Sequence, residues 1–258
     1  MKIRIKFAKY GVMKFIGHLD VMRFFQKAIR RAGIDIRYSE GFSPHPIMSF
    51  AAPLGVGMES MGEYLDIEVL SMTSAEEMKN ALNQAMTEGI SVLSVTVLPD
   101  TAKNAMASVA AASYQLAYVK EPEEDGQTKD SLHCFPIDGI EEKLAAFYAK
   151  EQIPVTKKTK KGERELDLKP GIFELKIEEV LHPFIDDGQV YQVISMLVDA
   201  SSGGNIKPTM VFDAFCQDCG VSFAPYSCQV TRIDTLMNLA VEGKTPVFVP
   251  LDKGEKKF

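Results

Sequence analysis

Four cysteines in 258 residues are too few and too scattered for a disulfide framework, which points to a reducing compartment, the cytoplasm. No apolar run approaches the roughly 18 residues that a membrane span needs, so no membrane partner is expected. The start, Met1-Lys2-Ile3-Arg4-Ile5-Lys6, alternates charge with apolar side chains and reads as a strand and not as a signal peptide. The chain lacks a P-loop, a Rossmann fingerprint and any C-x-x-x-C-x-x-C of the kind that holds an iron–sulfur cluster. No cofactor is therefore expected. Cys216-Gln217-Asp218-Cys219 is a C-x-x-C, but Cys134 and Cys228 form no matching second pair. A zinc site would have to recruit His133 or His182, so the pair reads as structural and no metal is expected.

Charge is unevenly placed. Residues 1–37 carry Lys or Arg at positions 2, 4, 6, 9, 14, 23, 27, 30, 31 and 37 against only Asp20 and Asp35. That segment is +8, on a chain whose net charge is −6. A basic end on an acidic protein suits a phosphate-bearing partner, unless the charges are merely solvated around a strand and a helix.

Periodicity gives an order of elements. Residues 2–9 alternate as a strand. Residues 18–32 form an amphipathic helix through Met22, Phe25, Ile29 and Ala32, with Asp20 in its first turn and Gly33 as its stop. Residues 34–57 are extended and rich in Gly and Pro, and Glu63 to Leu70 alternates again. Thr73 to Glu77 offers capping boxes to a helix bearing Met78, Leu82 and Ala85, and Leu93, Val95 and Val97 mark a closing strand.

After a small, alanine-rich linker the order repeats. Tyr114–Val119 is a strand, Asp138 caps a helix bearing Ile140, Leu144 and Phe147 through a box with Glu141, and Phe173–Val180 pairs with Val190–Val198. Pro208 opens a helix bearing Val211, Phe212 and Phe215, and Cys228–Ile233 is the last strand. The expected fold class is α+β, as two tandem ferredoxin-like (βαββαβ) units. Residues 1–98 form the first, 99–112 a linker, 113–238 the second with a basic hairpin insertion, and 239–258 a loose tail.

Two basic features stand out. Arg23, Lys27, Arg30 and Arg31 line the helix face opposite Met22, Phe25 and Ile29, and no acidic residue follows Asp20 within that helix. The inserted hairpin carries Lys157, Lys158, Lys160, Lys161 and Arg164 about a tip at Gly162. A basic arm suits sequence-independent contact with a phosphate backbone. The alternative is a charged edge that keeps strands from aggregating.

Candidates for chemistry gather near the first helix. Gly17-His18-Leu19-Asp20 opens it, and Tyr38-Ser39-Glu40-Gly41-Phe42-Ser43-Pro44-His45-Pro46 follows it. His18, Tyr38 and His45 are the candidate catalytic residues, since a histidine titrates near neutrality and serves as acid or base. Ser39 and Gly41 lie in a loop able to wrap a phosphate with backbone N–H groups. Equally, His18 can simply staple the helix start and His45 sit in a proline-rich turn. Glu63 and Asp66 are expected on the solvent side of their strand.

The stretch from Lys9-Tyr10-Gly11 through Gly17-His18-Leu19-Asp20, Ala28-Ile29-Arg30-Arg31-Ala32-Gly33, Tyr38 to Pro46 and Pro53-Leu54-Gly55 to Asp66 resembles the radical-SAM-linked proteins. These bacterial domains are found beside, or fused to, a radical-SAM enzyme. Without cluster cysteines the chain is similar to the stand-alone form, which implies a radical-SAM enzyme as a separate partner chain. Duplicated ferredoxin-like units also resemble RNA enzymes: endonucleases of the RAMP type and paired-domain tRNA pseudouridine synthases. The Arg-Thr-Asp-Gly-like catalytic setting of the synthases is absent.

Three functions follow. The first is an RNA-binding accessory that presents tRNA or rRNA to a radical-SAM modifying enzyme. The second is an RNA-processing or RNA-modifying enzyme using the His18/His45 region. The third is a protein-binding scaffold without RNA contact.

Overall fold

The computed structural model describes residues 1–119, 132–159, 162–224, 227–241 and 243–253. The N-terminal elements are β1 (Lys2–Lys9), α1 (His18–Arg31), β2 (Met48–Phe50), β3 (Glu59–Glu68), α2 (Ala75–Ala85), β4 (Ile90–Leu98) and α3 (Ala105–Ser108). There follow β5 (Ala111–Val119), β6 (Leu132–His133), α4 (Ile140–Tyr148), β7 (Pro154–Thr159) and β8 (Gly162–Asp167). The last are β9 (Ile172–Leu181), β10 (Val190–Asp199), α5 (Pro208–Cys219), β11 (Cys228–Asn238) and β12 (Phe248–Pro250). Helices and mainly antiparallel strands place the protein in the α+β class. Among the described residues no helix is long and apolar enough to cross a membrane.

The chain divides into two compact units, Met1–Ala111 with Arg232–Phe258, and Ala112–Thr231. In the first unit β1 lies between β3 and β4 and runs antiparallel to both. β2 pairs with Leu65–Ile67 of β3, and β11 also adjoins β3. The period of two in β1 sends Ile3, Ile5 and Phe7 to the face that α1 and α2 cover. There they meet Val21, Phe25 and Ile29 of α1 and Met78 and Leu82 of α2. Each such side chain contributes about 1.5–3 kcal/mol on full burial. Met22, read as core, is only partly buried; the buried stripe of α1 is Val21, Phe25, Ala28 and Ile29. Ser74 caps α2 by accepting the Glu77 N–H at 3.1 Å.

The other face of β1 carries charge. Arg4 is fully buried, and its guanidinium grips both oxygens of Asp66 at 2.8 and 3.0 Å. Its remaining donors reach the carbonyls of Leu251 (2.9 Å) and Lys103 (3.0 Å), and Asp66 also accepts the Ala105 N–H at 2.7 Å. Asp66 therefore does not face solvent. Lys6 pairs with Asp234 at 2.6 Å, and the Tyr64 hydroxyl donates to Asp234 at 2.7 Å. Asp234 belongs to β11, which approaches β3 at Gly62. A Cβ there would stand 2.4 Å from the Asp234 Cα, so only glycine fits.

Of residues 239–258, expected to be a loose tail, the described ones contribute β12 and a fully buried Leu251, and 242 and 254–258 lie outside the described residues. Leu251 packs with Ala51, Tyr64, Ala105 and Met237. The arginine on β1 needs carbonyl acceptors that only this stretch and the 99–108 stretch bring.

In the second unit β10 lies between β9 and β5, β6 pairs with the end of β5, and β7 and β8 form a separate hairpin. Asp167 fixes the base of that hairpin by accepting the N–H groups of Ile153 (2.8 Å) and Lys169 (3.0 Å). Leu144, Phe147, Phe212 and Phe215 are buried, with the Phe147 and Phe215 rings 5.6 Å apart. The expected Asp138 cap of α4 does not form. Gly139 stands at the N-cap with φ +65°, and no side chain bonds there, because a left-handed residue breaks the extended geometry that a capping box requires.

Removing the carboxylate of Asp66 strands a buried guanidinium. Asp66→Ala is expected to cost about 3–5 kcal/mol in urea denaturation, against less than about 1 kcal/mol for Glu76→Ala on an exposed helix pair. Equal losses would contradict the ion pair's role.

Candidate functional site

The structure sorts the ten basic residues of the N-terminal segment by what they touch. Lys2 donates to the Asp100 carbonyl, and Arg4 and Lys6 hold carboxylates inside the unit. Lys14 lies 3.9 Å from Glu59, and Arg37 lies 3.4 Å from Glu68. On α1, Arg23 is 3.6 Å from Asp20, and Arg31 donates to the Ala85 carbonyl at 2.7 Å. That leaves the buried Lys9 and, on α1, Lys27 and Arg30, both exposed and with no acidic partner among the described residues. Most of the +8 is thus engaged internally, and the outward excess is concentrated on one side of α1.

Lys9 is the unusual member. Period two puts it in line with Ile3, Ile5 and Phe7, on the apolar side of β1, and it is only 2% exposed. Its ammonium donates to the Ile16 carbonyl at 3.2 Å. Burial pulls its pKa below the ordinary 10.5, Glu63 acts in the opposite direction and Arg232 adds to the lowering. Glu63 is itself buried, accepting from Arg232 (2.8 Å) and from the Ser60 hydroxyl (2.7 Å), and so does not face solvent as expected. Arg232 also donates to the Ala52 carbonyl at 2.9 Å.

These groups border a small pocket. Its polar edge is Lys9, His18 and Glu63, and its walls are Phe7, Val21, Phe50, Pro53 and Leu54. Water centres have about 20 Å³ of room in it, enough for one water. His18, the first residue of α1, stands edge-on to Phe50 with ring centroids 5.1 Å apart. The pocket lining includes neither Tyr38, Ser39 nor His45.

Those three lie on a hairpin of their own. Arg37 bonds through its backbone to Glu68 (2.7 Å) and Ile47 (2.9 Å), which carries residues 38–46 out beyond β3. The Ser39 hydroxyl meets Nδ1 of His45 at 2.9 Å and accepts the His45 backbone N–H at 3.1 Å. Structure brings Ser39 and His45 together as a clasp across the hairpin. At its tip Gly41 has φ +111°, Phe42 is fully exposed and Tyr38 is half exposed.

The β7–β8 hairpin is less uniformly basic than its lysines suggest. Lys157 stands opposite the exposed Arg164, but Lys158 stands opposite Glu163 and Thr156 opposite Glu165. Lys160 and Lys161, and the side chains of Lys157 and Lys158, lie outside the described residues.

Burial pushes the thiols of Cys216 and Cys228 up to about 12, so both are protonated at neutral pH. Among the described residues no three His, Cys, Asp or Glu side chains are placed to hold a metal.

Sequence reasoning missed Lys9, Glu63 and Arg232 as a group. The signal for Lys9 was available, since a charged residue at the apolar register of an alternating strand is anomalous. Nothing local announces Arg232, which is 169 residues from Glu63 in the chain.

A bacterial family described as "Uncharacterized protein conserved in bacteria (DUF2344)" matches residues 2–208. No curated protein matches the chain. Among solved structures, the chain is similar to one titled "Crystal Structure of an Unknown Protein from Galdieria sulphuraria", at 12% identity over 90% of this chain and 98% of that one, with a TM-score of 0.23.

The depressed pKa of Lys9 has a stability consequence. Burying the charged ammonium opposes folding in full at neutral pH, where both states are protonated. Between the lowered folded pKa and 10.5 the unfolded chain binds more protons than the folded one, so stability rises with pH and the penalty fades. Lys9→Met is expected to be between neutral and about 2 kcal/mol more stable than wild type near neutrality. Its advantage in urea melts should shrink toward pH 10.5; an advantage that grows with pH would contradict the assignment.

Proposed function

The chain belongs to the bacterial family matched over residues 2–208, and we propose that it is an RNA-binding accessory to a radical-SAM modifying enzyme carried on a separate chain. The observation that carries the RNA reading is the outward side of α1. Lys27 and Arg30 are exposed cations without acidic partners among the described residues, and Arg23 beside them is held only by an exposed i,i+3 contact to Asp20. Exposed pairs of that kind are weak and exchange readily for a phosphate.

The 38–46 hairpin supports the same reading. Its clasp holds the loop in shape while Tyr38 and Phe42 stay in solvent, as a platform for unstacked bases requires. Arg164 on β8 offers a further phosphate contact. Ser39, by contrast, uses its hydroxyl within the clasp, so its contribution to RNA is positional. The radical-SAM partner rests on the resemblance of residues 9–66, and the cytoplasmic setting on the few, scattered cysteines.

We propose that β1-α1-β2-β3-α2-β4 and β5-α4-β9-β10-α5-β11, the latter with β6, β7 and β8 inserted, are two ferredoxin-like repeats by element order, with most of β11 grouped in the first compact unit. We read them as a duplication, which carries no function by itself.

The test is a double reversal, Lys27→Glu with Arg30→Glu. Binding to single-stranded RNA should weaken, and the slope of log K against log salt should flatten by about 1.4, near 0.7 per lost phosphate contact. Stability should move by no more than about 0.5 kcal/mol. Unchanged affinity and slope, or no RNA binding by wild type with or without its partner enzyme, would overturn the reading.

A further inference from the structure

We propose that the pocket at the start of α1 is an oxyanion site that receives one oxygen of a terminal phosphate end-on, with Lys9 as its buried cation. The argument begins with charge. Two cations, Lys9 and Arg232, face one carboxylate, Glu63, and that carboxylate already accepts from Arg232 at 2.8 Å and from Ser60 at 2.7 Å. A protonated lysine has three donors. Lys9 uses one, on the Ile16 carbonyl, and is 98% withdrawn from solvent. A buried ammonium left in that state wants an anion.

The pocket restricts which anion. Its walls are Phe7, Phe50 and Leu54 among other apolar side chains, so charges there are poorly screened. The carboxylate of Glu63 on the same edge is offset by its ion pair with Arg232, which leaves Lys9 as the uncompensated charge facing an incoming anion. The 20 Å³ open to water centres suits one buried oxygen atom, with the rest of its group left toward the pocket mouth. The group must therefore present a terminal oxygen and keep the rest outside. His18 lines the same pocket and opens α1, a helix of 14 residues whose N-cap, Gly17, offers no side-chain acceptor to the first N–H groups. The positive end of that helix supports the anion in second place. Asp20 in the same turn is directed to Arg23, 3.6 Å away. An internal phosphodiester also carries non-bridging oxygens, but ribose on both sides hinders their end-on entry; a phosphomonoester is hindered on one side only and so fits better.

The site stands on this geometry, whereas RNA as the source of the phosphate rests on the function proposed above. The experiment separates the two. Inorganic phosphate is titrated into wild-type protein by calorimetry, and its effect on Tm is compared with sodium chloride of equal ionic strength in wild type and Lys9→Met. Saturable heat and a wild-type Tm rise absent from Lys9→Met are expected. No saturable heat, or an equal rise in both proteins, overturns the site. Should Lys9→Met fail to fold, the wild-type calorimetry alone decides.

A second arm compares 5′-phosphorylated with 5′-hydroxyl RNA of one sequence. Several-fold tighter binding of the phosphorylated strand, lost in Lys9→Met, identifies an RNA end as the ligand. Equal binding of both strands with the phosphate response intact assigns the site to a free phosphomonoester. No RNA binding with that response intact removes the RNA reading and leaves the site standing.

Discussion

The two-pronged contact between Arg4 and Asp66 is made by an arginine with no solvent exposure, and separated stretches of chain converge on it. Desolvating a guanidinium is costly, and the pair persists only where its remaining donors are satisfied. Leu251 and Lys103 supply the carbonyls, and the Ala105 N–H completes Asp66. The 99–108 stretch and the C-terminal stretch are consequently fixed parts of the N-terminal unit. Lys6, Tyr64, Asp234, Asp252 and Ser94 continue the network along the same face, with Ser94 donating to Asp252 at 2.9 Å. Burial and the two aspartates hold the Tyr64 hydroxyl protonated throughout the physiological range.

This arrangement decides where charge is left for a partner. β1 carries one series of cations, and most of them are matched by carboxylates or carbonyls inside the unit. Lys9 ends the series with a carboxylate it must share with Arg232. Lys27 and Arg30 lie beyond the series, on the outward side of α1. The pocket and the exposed helix side are thus two consequences of one distribution: positive charge that the interior does not absorb.

Alternation in β1, the apolar stripe of α1, the Ser74 cap and Pro208 at the start of α5 are local signals, and the elements they announce are present. What the sequence hid is long-range. The charge excess of residues 1–37 looks available for phosphate until Asp66, Asp234 and Glu63 are seen beside it, and each arrives from elsewhere in the chain. β12 was illegible because it is short and is held by β11 and by the burial of Leu251, not by its own periodicity. The Gly139 conformer defeated the capping pattern at Asp138, since a pattern of residue types does not encode φ. His18, Ser39 and His45 were each singled out as candidates, but contiguity in sequence gave no sign that His18 would border a pocket while Ser39 and His45 clasp each other across a projecting hairpin.

Lysine acetylation footprinting, read by mass spectrometry with and without RNA, tests this division of charge most directly. Lys6 and Lys9 should resist the reagent in both states, because one is held by Asp234 and the other is buried. Lys27 should react readily in the free protein and become protected when RNA is added. Labelling of Lys6 and Lys9 as fast as Lys27, or RNA protection that appears on β1 and not on α1, would contradict the account.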